Sequence, residues 1–323
     1  MKKFDKLDTE LFTKQGARSR TATTRTRRVL SAAFLLAALI SAPTVGKSYS
    51  LDLSGMTGGK YNDSWGFDVM YNNMSNDDII AIKLPEIIDE YYCPYSTSLT
   101  SITFPKSLTD FIPTSYPEAP ALSSISFHPE NPVYTTDTEG KSVLTKDGKT
   151  IVFVVPSVKT FTIPAGVEHI AECAFIHCGT QLTAITIPNG VKSIGLAAFQ
   201  GCSSLTSVTL PQSVTSIEVR AFGGCSQLTE VVIPEGVTII ANEAFRGCSR
   251  LASVTLPQNV TSIGDGAFYN CKQLATITYG GTVAKWKAVT RGFVWYGNKN
   301  NSATLVPATQ VQCSDCPAGL VDK

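Results

Sequence analysis

Five leucines, Leu182, Leu205, Leu228, Leu251 and Leu274, stand 23 residues apart, and the residues between them repeat as well. The unit reads L-T-x-V-T-L-P-x-x-V-T-S-I-x-x-x-A-F-x-G-C-S-x. A fixed period in the twenties marks one supersecondary unit stacked on copies of itself. So short a unit cannot enclose its own apolar face, and each copy needs a neighbour to cover it. The repeat therefore predicts a solenoid that grows as one body over most of the 323 residues. It specifies a scaffold well and a ligand poorly.

Counting the leucine as position 0, positions 0, 3 and 5 are apolar (Leu205, Val208, Leu210), while positions 2 and 4 are small or polar (Ser207, Thr209). Alternation with period two predicts a strand with one face buried. The proline that follows (Pro188, Pro211, Pro234, Pro257) has no N–H and ends the ladder. Positions 9 and 12, Val214 and Ile217, predict a second, shorter strand. The run to Ala221 and Phe222 reads as a short helical turn. Position 19 is Gly201, Gly224, Gly247 or Asn270, residue types that accept the left-handed backbone at such a turn's end. Stacking places Phe199, Phe222, Phe245 and Phe268 in one buried column. Cys178, Cys202, Cys225, Cys248 and Cys271 form another.

The fold class expected is an α/β solenoid of 23-residue units. It has a parallel β-sheet on one face, with short helical turns and second short strands opposite. The first units, from Ile79, are irregular, and between Leu122 and Val158 the spacing stretches to 36. That stretch holds PENP at residues 129–132, then two β-rich runs around Asp147-Gly148. It predicts one inserted β-hairpin unit at about 128–157. The solenoid is expected over residues 79–290, an N-terminal cap over 47–78 and a C-terminal cap over 291–323.

Residues 1–28 carry nine Lys or Arg against three acidic residues, a balance of +6 that leaves −5 for the rest of the chain. An uncharged apolar run over residues 29–40 follows. A basic stretch before a short apolar core reads as an export signal over residues 1–46, cleaved after Gly46, or as an uncleaved signal anchor. The anchor is the only membrane contact expected. A mildly acidic body without a basic stripe argues against nucleic acid as a partner.

The motif L-T-S-V-T-L-P…V-T-S-I…A-F…C resembles the BspA-like, or treponemal-type, leucine-rich repeat of bacterial surface proteins. HPENPVY at residues 128–134 is similar to that family's inserted unit. YGGT-x3-W at residues 279–286 and VQCSD at residues 311–315 are similar to its C-terminal closure. The resemblance spans roughly residues 79–316 and implies a leucine-rich-repeat superhelix on an exported or cell-surface protein. The role it implies is adhesion to host matrix proteins, host cells or other bacteria. The alternative is a structural or self-associating surface component with no host ligand.

Nine cysteines in an exported chain suggest disulfides. Column cysteines held near strand spacing with parallel side chains are too far apart to be joined, and are expected to be small buried hydrophobes. Cys313 and Cys316 could clasp the cap. His169, Cys173, His177 and Cys178 form the one metal-like cluster, but the repeat register separates His169, on the second strand, from His177, at the turn's end. No metal, cofactor or small-molecule substrate is expected. With three histidines and no nucleophile, phosphate-loop or metalloprotease motif, neither is an enzyme.

The partner expected is a protein or cell-surface macromolecule. The candidate binding face is formed by positions 2 and 4 of the long strand: Thr186, Ser207, Thr209, Glu230, Val232, Ser253, Thr255, Thr276 and Thr278. A rival strip runs along the second strand at Lys192-Ser193, Thr215-Ser216 and Thr261-Ser262. The long strands are preferred because they are uninterrupted and their small side chains leave the sheet open.

Overall fold

The computed structural model describes residues 49–52, 79–83, 98–111, 119–295, 310–315 and 320–321. The expected export segment, most of the N-terminal cap and Cys316 lie outside the described residues. Within them the chain is a parallel β-solenoid.

Long strands stack in register at one position of every coil. Tyr49–Asp52, Ile79–Lys83, Ser101–Phe104 and Ser124–Phe127 form the first parallel run. Thr160–Thr162, Ala184–Thr186 and Ser207–Thr209 form the second. Glu230–Val232, Ser253–Leu256, Thr276–Tyr279 and Gln310–Cys313 form the third, closed by an antiparallel strand, Leu320–Val321. Ala184 stands opposite Ser207, and Ser253 opposite Thr276, so like positions stack on like. The alternation works as expected: Leu205, Val208 and Leu210 are buried while Ser207 and Thr209 are exposed.

The second strands are short. His169–Ile170, Ser193–Ile194 and Ser216–Ile217 pair in parallel, as do Ile239–Ile240, Ser262–Ile263 and Thr290–Arg291. The insertion joins this second sheet. Tyr134–Thr136, Ser142–Thr145 and Thr150–Val154 form an antiparallel meander, and its last strand pairs in parallel with His169–Ile170. The 36-residue spacing thus supplies a whole extra hairpin without breaking the stack. Asn131 of PENP seats it. Its buried Nδ2 donates to the carbonyls of Pro105, Lys106 and Leu108 at 3.1, 3.3 and 2.8 Å, and its Oδ1 accepts from the N–H groups of Val133 and Tyr134.

The segment after the second strand is a chain of tight turns. Among the described residues the only helices are a three-residue 3₁₀ turn at Ile176–Cys178 and an α-helix at Val283–Ala288. The reason lies in where the backbone donors go. In each coil alternate N–H groups point along the stack: Ala197 donates to Val219, Phe199 to Ala221 and Gly201 to Gly223 of the next coil. Groups spent between coils cannot build a helix within one. Position 19 has the expected positive φ, +75° at Gly201, Gly224 and Gly247 and +63° at Asn270. A second left-handed column at position 15 was not signalled: Cys173, Ala197, Arg220, Glu243, Gly266 and Val294 all have φ between 51° and 60°.

Inside, the phenylalanine column is continuous. Ring centroids from Phe175 through Phe199, Phe222 and Phe245 to Phe268 are 4.5, 5.1, 5.4 and 5.5 Å apart and nearly coplanar in orientation. Trp295 meets Phe268 edge-on at 6.5 Å and ends the stack, backed by Trp286. Both sheets are interrupted at one junction, between Ser207–Thr209 and Glu230–Val232 and between Ser216–Ile217 and Ile239–Ile240. There the turn column carries the connection, with Arg220, Phe222 and Gly224 donating to Asn242, Ala244 and Arg246. A two-pronged ion pair spans the same junction: Arg220 Nε and Nη2 reach Glu243 at 3.0 and 3.4 Å. Burial alone would raise the Glu243 pKa, but hydrogen bonds from Arg246 and Arg220 outweigh it and hold the carboxylate below its usual range.

Candidate interaction face

Every candidate side chain of the long-strand face falls where the alternation puts it. Thr186, Ser207, Thr209, Glu230, Val232 and Thr278 are exposed, and Ser253, Thr255 and Thr276 are half-buried. Pairing lines them up in two columns, Ala184–Ser207 and Thr186–Thr209 on one side of the interruption and Glu230–Ser253–Thr276 and Val232–Thr255–Thr278 on the other. The columns extend beyond the residues singled out from the sequence. Thr160 and Thr162 pair with Ala184 and Thr186, and Gln310 and Gln312 with Thr276 and Thr278. Thr160 and Thr162 follow from the register of Val158. The two glutamines do not, because the 23-residue spacing is lost after Leu274.

Hydroxyl partners separate the two strips. On the short-strand side, Thr215 and Thr261 donate to the carbonyls of Lys192 and Thr238. Ser216 donates to Glu218, and Ser193 shares a 2.8 Å hydrogen bond with His169. Glu168 on that side takes hydrogen bonds from Lys149 and Lys192, which bring its carboxyl down to about 2. Thr183 and Thr206, at position 1, likewise close onto carbonyls of the preceding coil. By contrast, the hydroxyls of Thr186, Ser207, Thr209, Ser253, Thr255, Thr276 and Thr278 have no protein partner among the described residues. One apolar break interrupts each strip within the same coil: Val232 and Ile239 are each 56% exposed.

The metal-like cluster is not assembled. His169 lies on the short strand against Ser193, Cys173 is buried in the turn, and His177 packs 6.1 Å from the Phe153 ring. No group of three or more His, Cys, Asp or Glu among the described residues is placed to hold a metal ion. The column cysteines form no disulfide with one another and are fully buried. Cys202, Cys225, Cys248 and Cys271 donate to the carbonyls of Phe175, Phe199, Phe222 and Phe245, at 3.5 Å shortening to 3.1 Å. Each of these carbonyls already accepts the N–H of the cysteine in its own turn, so the thiol of the next coil adds a second hydrogen bond to it and the cysteine is more than filler.

A stack of such coils, with a parallel sheet at one position and tight turns opposite, defines a leucine-rich-repeat solenoid. Residues 168–289 match the family model for the BspA type leucine rich repeat region in six copies, so these coils carry that type of repeat. A leucine rich cell surface protein from Faecalibacterium prausnitzii A2-165 is similar at 26% identity, over 66% of this chain and 67% of that one, with a TM-score of 0.55. The pneumococcal vaccine antigen PcpA is similar in fold, at 17% identity and a TM-score of 0.58 over 74% of this chain. The match spans 63% of the antigen's own length. A comparison with curated proteins finds no match.

Proposed function

We propose that the chain is an exported, cell-surface binding protein that presents its long-strand face to a protein or another surface macromolecule, in the manner of an adhesin. One observation carries the choice of face. The hydroxyls of its candidate residues are free to hydrogen-bond a partner, whereas Ser193, Thr215, Ser216 and Thr261 of the rival strip already serve the fold. Thr186, Ser207, Thr209, Ser253, Thr255, Thr276 and Thr278 supply donors and acceptors, and Glu230 and Val232 supply a charged and an apolar contact midway along the strip. Extended sheet faces of solenoids bind through many such small contacts. The family and the cell-surface relative support the location. No enzymatic role is proposed.

The test has two arms, run on a partner found by screening the chain against matrix proteins and intact cells. Replacing Ser207, Thr209, Ser253 and Thr255 together by Lys is expected to abolish binding with little change in melting temperature. The same change at Thr215, Ser216, Thr261 and Ser262 is expected to leave binding intact. It should lower the melting temperature more, because the internal hydrogen bonds of Thr215, Ser216 and Thr261, worth about 1 kcal/mol each, are lost. Binding lost only in the second variant would move the face to the short strands.

A further inference from the structure

The regular coils are not bonded to one another equally. On the short-strand side a backbone N–H reaches back to the preceding coil, Lys192 to Glu168, Thr215 to Lys192, Thr261 to Thr238 and Thr290 to Thr261, at 2.7, 2.8, 2.8 and 2.9 Å. A second set accompanies it, Gly195 to Ile170, Glu218 to Ile194, Gly264 to Ile240 and Gly292 to Ile263. Between the coils that begin at Leu205 and Leu228 neither bond is made: among the described residues Thr238 does not reach Thr215, nor Ala241 Ile217. On the long-strand side Ser207–Thr209 and Glu230–Val232 do not pair, and the bond from Thr229 to Thr206 is 3.4 Å long, against 2.8 Å from Ala252 to Thr229. Threonine hydroxyls repeat the pattern. Those of Thr206 and Thr215 donate to the preceding coil, and those of Thr229 and Thr238 do not. The turn edge of the same junction is intact. Arg220, Phe222 and Gly224 donate across it at 3.1, 2.8 and 2.6 Å, and Cys248 donates to the Phe222 carbonyl at 3.2 Å. Phe222 and Phe245 stack at 5.4 Å with their planes 3° apart, and Arg220 holds Glu243.

We propose that this junction is a hinge. The turn column is its pin, and residues 158–227 and 228–290 swing about it as two stiff arms. Bonds along one run of chain fix one edge and leave the two strand-bearing sides free to part. Those sides are held by the packing of Val208, Ile217, Val231 and Ile240, all buried, and that attraction has no preferred direction. Among the described residues a small rotation strains two 3.4 Å bonds there, Thr229 to Thr206 and the Glu235 N–H to the Gln212 side chain. At either neighbouring junction it would break the ladders of both sheets. Travel is one-sided. A Cβ on Gly236 would lie 3.0 Å from Thr215 Cγ2 and 3.1 Å from the Val214 carbonyl oxygen, so the loops after Pro211 and Pro234 already touch and the arms can only open. Thr209 and Val232 stand on the two lips of the seam, so the swing changes the curvature of the long-strand strip. A surface bound there need not match one fixed curvature. The hinge itself rests on the bonding and not on which strip binds a partner.

The unaltered full chain tests this in solution. Residual dipolar couplings of its backbone amides, measured in a weakly aligning medium, are fitted separately for residues 158–227 and 228–290. Each arm should fit one rigid body of its own. The two alignment tensors should differ in magnitude, because a swing on the microsecond to millisecond scale averages one arm more than the other. Amide exchange gives a local readout. Thr238 and Ala241 should exchange on the order of 100-fold faster than Thr261 and Gly264. Arg220, Phe222 and Gly224, at the pin, should keep the protection of Ala197, Phe199 and Gly201. One tensor that fits both arms as well as either alone would overturn the proposal. So would a change of tensor at another junction, equal protection of Thr238 and Thr261, or exchange at Phe222 as fast as at Thr238.

Discussion

At φ +75° Gly224 occupies backbone space that a β-branched residue enters only under strain. Gly224→Val is expected to lower stability by about 1–3 kcal/mol, measured by urea denaturation. The neighbouring thiols make a different prediction. Burial pushes the Cys202 thiol from its ordinary value of 9.0 up to about 12. Above pH 9 the unfolded chain gives up this proton while the folded chain keeps it, so stability is lost as pH rises through that window. Cys202→Ala should therefore flatten the alkaline decline by about 1.4 kcal/mol per pH unit. The sequence announces the position-19 column because glycine and asparagine mark it. It conceals the one at position 15, where Cys173, Ala197, Arg220, Glu243 and Val294 carry no such mark. There the left-handed backbone is held by the donors that each coil gives the next, Ala197 to Val219 and Arg220 to Asn242. Those bonds depend on a neighbour that local sequence does not show.

At the scale of elements, the hairpin insertion depends on a single side chain. Asn131→Ala would strip donors from the carbonyls of Pro105 and Leu108 and an acceptor from the N–H groups of Val133 and Tyr134. A loss of roughly 2–4 kcal/mol is expected from so many buried groups left unpaired. It should appear as a lower urea midpoint and as faster amide exchange at Tyr134–Thr136. The hairpin was legible because Asp147-Gly148 between apolar runs fixes a turn, and Asp147 accepts from Thr145 and Lys149 to close it. The role of Asn131 was not legible. An asparagine between prolines looks like an ordinary solvent-facing turn, and only the folded coil below supplies its three carbonyls. The expected helical turns were half legible. Apolar spacing located Ala221 and Phe222 in the core, but it could not tell donors that close on their own coil from donors that reach the next. Nor does the repeat announce the interrupted sheets between Thr209 and Glu230, since the leucine spacing runs unbroken across them.

For the whole molecule, the period alone was enough for the architecture, because a stacked unit leaves few choices of neighbour. The face was legible only as two alternatives. Both strips read as Ser and Thr, and what divides them is whether each hydroxyl finds an acceptor in the coil beneath, as Thr215 does and Thr209 does not. The stacking has a mechanical consequence as well. The inter-coil bonds run between adjacent coils, as from Ala197 to Val219 and from Gly224 to Arg246. A chain pulled by its two ends therefore loads these contacts one junction after another, with no junction shielded behind another. Under tension each detached coil of 23 residues should release roughly 80 Å of contour. Single-molecule stretching should record a train of near-equal steps of that length, and one cooperative rupture would contradict it. A protein that yields this way lengthens in small increments when a bound partner is dragged away, absorbing work at each step while the remaining coils stay intact.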